Sequence, residues 1–411
     1  MAAAQVKLIR IFLVIAACLP GVSCAPKPKA AQAEPVAEIR VGEDDNAHRL
    51  LQGFYESHGA WRWTAPSFTL LLDPPESKDK TFLVMDCTMP VELMTPASSV
   101  TLRARVNGVN VGQETYTRTG RYFFQREVPT AALDKKPAQV EFSLDRSVPN
   151  PPDAKPLGLI AVRIGFYDEF QTPEWEARVL KAAREEYPRL YRNQPSHFTL
   201  EQDAMLKKLF HELPVWESLQ FLGVPILKNP LDLWTMQHII YEVRPDFIIE
   251  TGTLRGGSAL FWAHTLEGLG LEHSRVLTVD IEAFAQTAAL EPLWKKYVDF
   301  YLGSSVDADI VEQIRRRVQG KKVLVTLDAL HTAGHVLKEL RAYGPMVSPG
   351  SYIVVEDTHL DGVPTHGRDV AGPLSAVTEF LRQGGNRDFT QDLSREGFGT
   401  TWNPGGWLRR K

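Results

Sequence analysis

The feature that most constrains this chain is residues 244–258, RPDFIIETGTLRGGS. Phe247, Ile248 and Ile249 form a short apolar run, as in a strand buried on both faces. Glu250 closes the run. Gly252, Gly256 and Gly257 then make a turn whose backbone, lacking Cβ, comes close to a ligand. Ser258 stands where a helix N-cap belongs, ahead of the apolar helix formers Ala259, Leu260, Phe261, Trp262 and Ala263. Free N–H groups at such a helix start favour an anionic group on the ligand.

Spacing decides which nucleotide-like ligand fits. The dinucleotide fingerprint G-x-G-x-x-G fails, because Leu254 stands two residues after Gly252. The phosphate-loop pattern fails too, since no Gly-Lys-Ser/Thr follows. The run Glu-x-Gly-Thr-x-x-Gly-x-Ser, Glu250 to Ser258, instead resembles the first motif of S-adenosylmethionine-dependent O-methyltransferases. On that resemblance Glu250, Gly252, Thr253, Arg255, Gly256, Gly257 and Ser258 are expected around the cofactor.

Alternating strands and helices follow, the signature of a parallel sheet. Strands are expected at 276–280, 300–305, 323–328 and 352–357. Segments 389–392 and 398–402 are expected as a final antiparallel pair, with Asn403-Pro404-Gly405-Gly406 as the turn after them. Ligands of open parallel sheets bind outside the carboxyl ends of the strands, and Glu250, Asp280, Asp328, Glu356 and Asp357 all fall at such ends. One such acid is usually a helix cap; five on successive strand ends read as a site. Asp280 is placed to accept from ribose hydroxyls. Asp328, Glu356 and Asp357 form an oxygen-rich set suited to Mg²⁺ or Mn²⁺ rather than zinc. Adjacent strand residues point to opposite faces, so Glu356 and Asp357 converge only where the backbone is already turning.

Residues 221–411 resemble the cephalosporin hydroxylase and rhamnosyl O-methyltransferase family. The resemblance is carried by LGVPILKNPLDLW (222–234), IETGTLRGGSAL (249–260), Gly303-Ser304-Ser305, LDALHTAGHVLKEL (327–340), GSYIVVEDT (350–358) and TWNPGGWLR (401–409). It implies a Rossmann-like α/β methyltransferase core with a mostly parallel sheet, S-adenosylmethionine as cofactor, with Ser304, Ser305 and Asp328 beside it, and a metal held by Asp328, Glu356 and Asp357. Ala329-Leu330 departs from the small or acidic residues usual there and bears on substrate contacts. A neutral sugar hydroxyl is a poor nucleophile, so a metal-bound hydroxyl with a nearby base suits the chemistry. His331 is preferred as base over His335 and His359 for its closeness to Asp328. Lys228, in a loop expected to cover the ligand mouth, is a second catalytic candidate reaching an anionic substrate group.

Ahead of this core the chain changes character. Residues 1–24 read as a signal peptide: Lys7 and Arg10, an apolar stretch from 11 to 19, then small residues. Gly21-Val22-Ser23-Cys24 resembles a bacterial lipobox, with Gly21 where an aliphatic residue is usual; it implies lipidation of Cys24 and membrane attachment in the cell envelope, a plain secretory leader or an uncleaved anchor being the alternatives. Residues 25–59 are expected as a tether, 60–170 as a small all-β sandwich, jelly-roll-like, and 171–220 as a helical connector. Trp61, Trp63 and Tyr116 are candidate sugar platforms. A net charge of −4 argues against a nucleic-acid binder, and three cysteines, two of them in the leader, are too few for a disulfide framework. Two functions remain in view: a metal-dependent O-methyltransferase acting on a sugar, glycolipid or related small molecule, and a non-catalytic carbohydrate-binding protein of the envelope. A homo-oligomer is compatible with either. A hydroxylase reading lacks the two-His-one-carboxylate pattern.

Overall fold

The structure, a computed structural model, describes residues 36–75, 80–94, 99–149, 155–193, 198–212, 218–362 and 370–411. The leader, Cys24 and the first part of the expected tether lie outside them.

The N-terminal region holds nine strands: β1 (Glu38–Arg40), β2 (Leu50–Ser57), β3 (Arg62–Leu72), β4 (Thr81–Met89), β5 (Val100–Val106), β6 (Val109–Tyr116), β7 (Gly120–Val128), β8 (Ala138–Leu144) and β9 (Ile160–Asp168). They form one antiparallel sheet of order β6-β5-β8-β3-β9-β4-β7, with β1 on β9 and β2 on β3. β3 joins its two halves, pairing β8 through Ser67 to Leu72 and β9 through Arg62 and Trp63. Phe124 of β7 meets Phe142 of β8 edge-on at 5.8 Å, although several strands separate them in the sheet. The sheet is therefore folded over itself around an apolar filling. β1 and β2 correct the expected tether, because strand structure begins at Glu38 rather than near residue 60. Ile39 and Val41 are fully buried, which is what draws this segment into the sheet. Tyr116 is buried against Tyr122, so it is a packing residue rather than a platform.

The rest comprises α1 (Pro173–Arg192), α2 (Leu200–Glu212), the small hairpin β10 (Gln220–Phe221) and β11 (Val224–Pro225), α3 (Pro230–Val243), β12 (Phe247–Thr251), α4 (Gly257–Gly268), β13 (Arg275–Asp280), α5 (Pro292–Tyr297), β14 (Val298–Leu302), α6 (Ala308–Val318), β15 (Val323–Leu327), α7 (Ala333–Tyr343), β16 (Tyr352–Val355), α8 (His359–Gly362), α9 (Pro373–Arg382), β17 (Phe389–Gln391) and β18 (Trp407–Arg410). The sheet order is β14-β13-β12-β15-β16-β18-β17, parallel from β14 to β16, with β18 antiparallel to both its neighbours. The partner of β17 is therefore 407–410, not 398–402. Gly399 at φ +96° breaks the earlier segment, while Trp407 and Leu408 are fully buried.

Strand alternation covers both faces. Ile249, Leu277, Val325 and Ile353 pack with α6, α7 and α9; Ile248, Val276, Leu324 and Val354 pack with α3 and α4. Trp175, Val179 and Leu180 of α1 belong to the first cluster, so the expected connector is part of this core. Arg178 pairs with Glu379 of α9, and Lys338 of α7 with Asp168 at the end of β9.

Register aligns the carboxyl ends. Thr251 lies opposite both Val279 and Leu327, and Leu327 opposite Val355. The residues just beyond, Gly252, Asp280, Asp328 and Glu356, consequently form one row.

Candidate active site

A cavity of about 730 Å³ opens over that row. Its floor includes Gly252, Asp280, Gly303, Ser304, Ser305, Asp328, His331 and Asp357, and Leu227, Leu254, Ile281, Leu330 and Trp402 supply apolar walls.

Gly252 sits at φ +83° with its N–H on Val279 O at 2.9 Å. An added Cβ would lie 2.0 Å from the Asp328 carbonyl oxygen, so this position holds two strand ends together as well as lining the cavity. Leu254, at φ +45°, donates its N–H to Asp280 Oδ2 at 2.8 Å, and Glu282 N–H reaches Asp280 Oδ1 at 3.2 Å. Asp280 thus shapes the turn from the cavity rim.

Several expected cofactor contacts lie behind the cavity wall instead. Glu250 is fully buried; Trp262 Nε1 donates to its Oε1 at 2.8 Å and Thr278 Oγ1 to its Oε2 at 2.7 Å. Burial pushes its carboxyl up to about 7, against the pull of Lys228 and these donors. Thr253 Oγ1 shares a hydrogen bond with Thr278 Oγ1 at 2.7 Å. Gly256, φ +83°, precedes α4; a Cβ there would strike Trp294, and one on Gly257 would come 2.3 Å from Pro225 O. Ser258 is buried beside Glu250. Arg255 is exposed and lies over the Phe284 ring. These residues build and support the turn; of the seven expected around the cofactor there, Gly252 alone lines the cavity.

Ser304 and Ser305 line it beyond β14. Ser305 Oγ donates to Glu339 Oε1 at 2.6 Å and lies 3.0 Å from His335 Nε2, while Tyr343 donates to Ser305 O at 2.7 Å. Glu339 and Tyr343, on α7, carried no individual signal in the sequence.

At the centre, Asp328, His331 and Asp357 offer ligand atoms within 4.8 Å of one another. His331 Nε2 is 3.3 Å from Asp357 Oδ2 and 3.8 Å from Asp328 Oδ1. Asp357 has φ +57°, just past the end of β16, and its N–H donates to Asn403 Oδ1 at 2.9 Å. That left-handed turn separates the two acids: Asp357 faces the cavity, and Glu356 does not line it. Glu356 takes the Lys228 ammonium at 2.6 Å and the Thr326 hydroxyl at 2.5 Å. The side chains that the fold groups on the cavity side are therefore Asp328, His331 and Asp357, whereas the expected set had Glu356 in place of His331. His359 is fully buried behind Asp357, its Nδ1 3.8 Å from Asp357 Oδ1 and on Trp402 O at 2.9 Å, and it does not line the cavity.

Lys228 is 4% exposed and bridges Glu356 to Asp328, whose Oδ2 lies 2.5 Å from its Nζ. Burial opposes its charge, but Asp328, Glu356 and Glu250 outweigh burial and raise its pKa. A lysine so buried and so firmly protonated is a counter-charge for the acids rather than a catalytic group reaching substrate. The 222–228 loop does not cover the mouth freely: the β10–β11 hairpin packs on α4, with Phe221 on Phe261 at 5.1 Å, and only Leu227 enters the cavity. Burial also raises the carboxyls of Asp328, Glu356 and Asp357.

A sheet of this order, with acids and a glycine turn along one carboxyl edge, defines a Rossmann-like methyltransferase fold. Residues 214–411 match the family model "Rhamnosyl O-methyltransferase/CmcI". Rhamnosyl O-methyltransferase of Mycobacterium bovis is 35% identical over 201 residues, covering 48% of this chain and 80% of that protein. The Mycobacterium leprae protein of the same name is 36% identical and 85% covered. The chain belongs to the rhamnosyl O-methyltransferase/CmcI family. Among solved structures, a CmcI with Mg and SAM is 17% identical with a TM-score of 0.35, covering 47% of this chain and 77% of that one, and a CmcI with SAH is 17% identical with a TM-score of 0.33, covering 47% and 82%.

Proposed function

We propose that this protein is an S-adenosylmethionine-dependent O-methyltransferase that methylates a sugar hydroxyl with the help of a divalent cation. The observation that carries this reading is the convergence of Asp328, His331 and Asp357 on the floor of a cavity closed by the Gly252 turn. In relatives named rhamnosyl O-methyltransferase the matching region covers most of the protein, and the acceptor sugar is read from them.

The cavity fits the cofactor in shape and lining. Its volume lies within the usual range for small-molecule sites. Asp280 and Ile281 stand at the end suited to the nucleoside, and Gly252 and Asp328 at the end suited to the methionine portion.

The donor set fits a hard cation. The two carboxylates supply oxygen ligands of the kind Mg²⁺ or Mn²⁺ takes, with the imidazole as a borderline third donor, and three acids this close repel one another unless cations intervene. Lys228 supplies one such charge from below, between Asp328 and Glu356; Asp328 Oδ1, Asp357 Oδ2 and His331 Nε2 remain to hold an ion from the cavity side. When bound, that ion stabilises negative charge developing on the acceptor oxygen. The protein's own groups do the rest: the Asn403 amide oxygen fixes the Asp357 backbone, Gly252 lets the ends of β12 and β15 approach closely, and the apolar walls exclude water from the transfer path.

Calorimetric titration of residues 36–411 with S-adenosylmethionine, with and without Mg²⁺, tests the reading. One site per chain is expected. No heat of binding under either condition would overturn it. We read residues 1–24 as a leader that directs this protein to the cell envelope.

A further inference from the structure

We infer that the cleft between the N-terminal sheet and α1 is a subsite for the sugar units beyond the one that is methylated, so that the acceptor is an extended glycan. This rests on the sugar-methylating reading above and adds a role for the N-terminal sheet, which lies outside the family match.

The cleft encloses about 600 Å³. One wall is the outer face of the folded sheet. Asp86 of β4 lies opposite Phe123 of β7 and opposite Arg163 of β9, so the three side chains share that face. Arg121 clamps Asp86 with two hydrogen bonds, at 2.8 and 2.5 Å, and its guanidinium stacks 5.8 Å from the Phe123 ring. Phe124 turns inward and is fully buried, whereas Phe123 is 37% exposed. The other wall is α1, which presents Glu176, Leu180, Lys181 and Arg184 at three- and four-residue spacing on one helix face.

The cleft and the central cavity share a wall. Val370, 52% exposed, lines both; Ala371 lines the cleft and Gly372 the cavity. This rib is anchored: Ala371 O accepts from Ala333 N–H at 3.0 Å, and Gly372 N–H donates to Asp361 Oδ2 at 3.0 Å. A sugar seated over Asp328 and Asp357 thus has the cleft on the other side of the Val370 rib.

The wall chemistry selects the occupant. Cationic side chains (Lys181, Arg184 and Arg163, the last paired with Glu38 and Asp86) and carboxylates (Glu176, Glu185) line the cleft together with an exposed aromatic ring. Mixed charge disfavours a polyanion, and the polar rim disfavours an acyl chain. Sugar units carry hydroxyls that both donate and accept, together with an apolar C–H face that rests on an aromatic ring.

The test uses residues 36–411 saturated with S-adenosylhomocysteine and two probes, methyl rhamnoside and a rhamnose-terminated trisaccharide. The trisaccharide is expected to bind at least tenfold more tightly. Phe123→Ala and Lys181→Ala, both at exposed positions, should each remove most of that tenfold while the melting temperature holds. Equal affinity for the two probes, or a Phe123→Ala variant that keeps the full preference, would overturn the subsite. Preferential trisaccharide binding with no methyl transfer from S-adenosylmethionine would keep the subsite and overturn the methyltransferase reading. Methyl transfer to both probes with equal KM would overturn the subsite alone.

Discussion

Replacing Lys228 by Met is the sharpest perturbation of the site's electrostatics. The ammonium lies 2.5 Å from Asp328 Oδ2 and 2.6 Å from Glu356 Oε2, with the lysine side chain only 5% exposed. Methionine keeps the bulk and removes the charge, leaving two carboxylates facing each other. Breaking a buried pair in this way costs about 3–5 kcal/mol. At about 1.3 °C per kcal/mol for a folded unit of this size, melting should fall by about 4–7 °C in EDTA, followed by tryptophan fluorescence. The pH dependence has a definite sign. Burial, only partly offset by Lys228, already holds both carboxyls above their ordinary values. Without the lysine they rise further. A carboxyl whose folded pKa is raised favours the fold below its unfolded pKa, and that contribution is lost as pH rises through the folded value. The deficit of Lys228→Met should therefore be small near about pH 4 and grow toward about pH 8. A melting change under about 2 °C at the upper pH, or a deficit that shrinks as pH rises, would refute the counter-charge role.

Gly252→Val should lower melting and abolish S-adenosylmethionine binding together, because its Cβ would meet the Asp328 carbonyl at 2.0 Å; a normally folded variant with full affinity would contradict this. Glu250→Gln should flatten the fall in melting temperature above about pH 6, since the parent carboxyl, raised by burial to about 7, loses its stabilising proton there; parallel profiles would count against it. Asp361→Ala should cost about 1–2 kcal/mol in chemical denaturation, as Asp361 accepts from the N–H groups of Gly372, Leu374 and Ser375 at the start of α9; a smaller loss would assign that helix start other support.

The strand order was legible where pattern and period agree. Phe247 to Ile249 reads as a doubly buried strand and is one, and the acid-bearing strand ends line up because the parallel register is uniform. Period two also bears on Glu250: it shares the parity of Ile248, which faces α4, so its side chain points under the turn toward Trp262. The Asp357 turn was readable as a requirement, yet which acid faced the cavity depended on Asn403, 46 residues further on. The burial of Lys228 is not legible locally, because it depends on two carboxylates from the ends of β15 and β16 that come within 2.6 Å of its ammonium. β1 was hidden by its three-residue length, since only pairing with β9 makes it a strand.

Asp328, His331 and Asp357 are expected to hold one divalent ion. Electron paramagnetic resonance of Mn²⁺ titrated into residues 36–411 tests it most directly. One bound Mn²⁺ per chain is expected, lost in Asp357→Asn, weakened at least tenfold in His331→Ala and retained in Glu356→Gln, because Glu356 is engaged by Lys228 and Thr326. Binding that survives Asp357→Asn, or that is lost in Glu356→Gln while His331→Ala is unaffected, would contradict it.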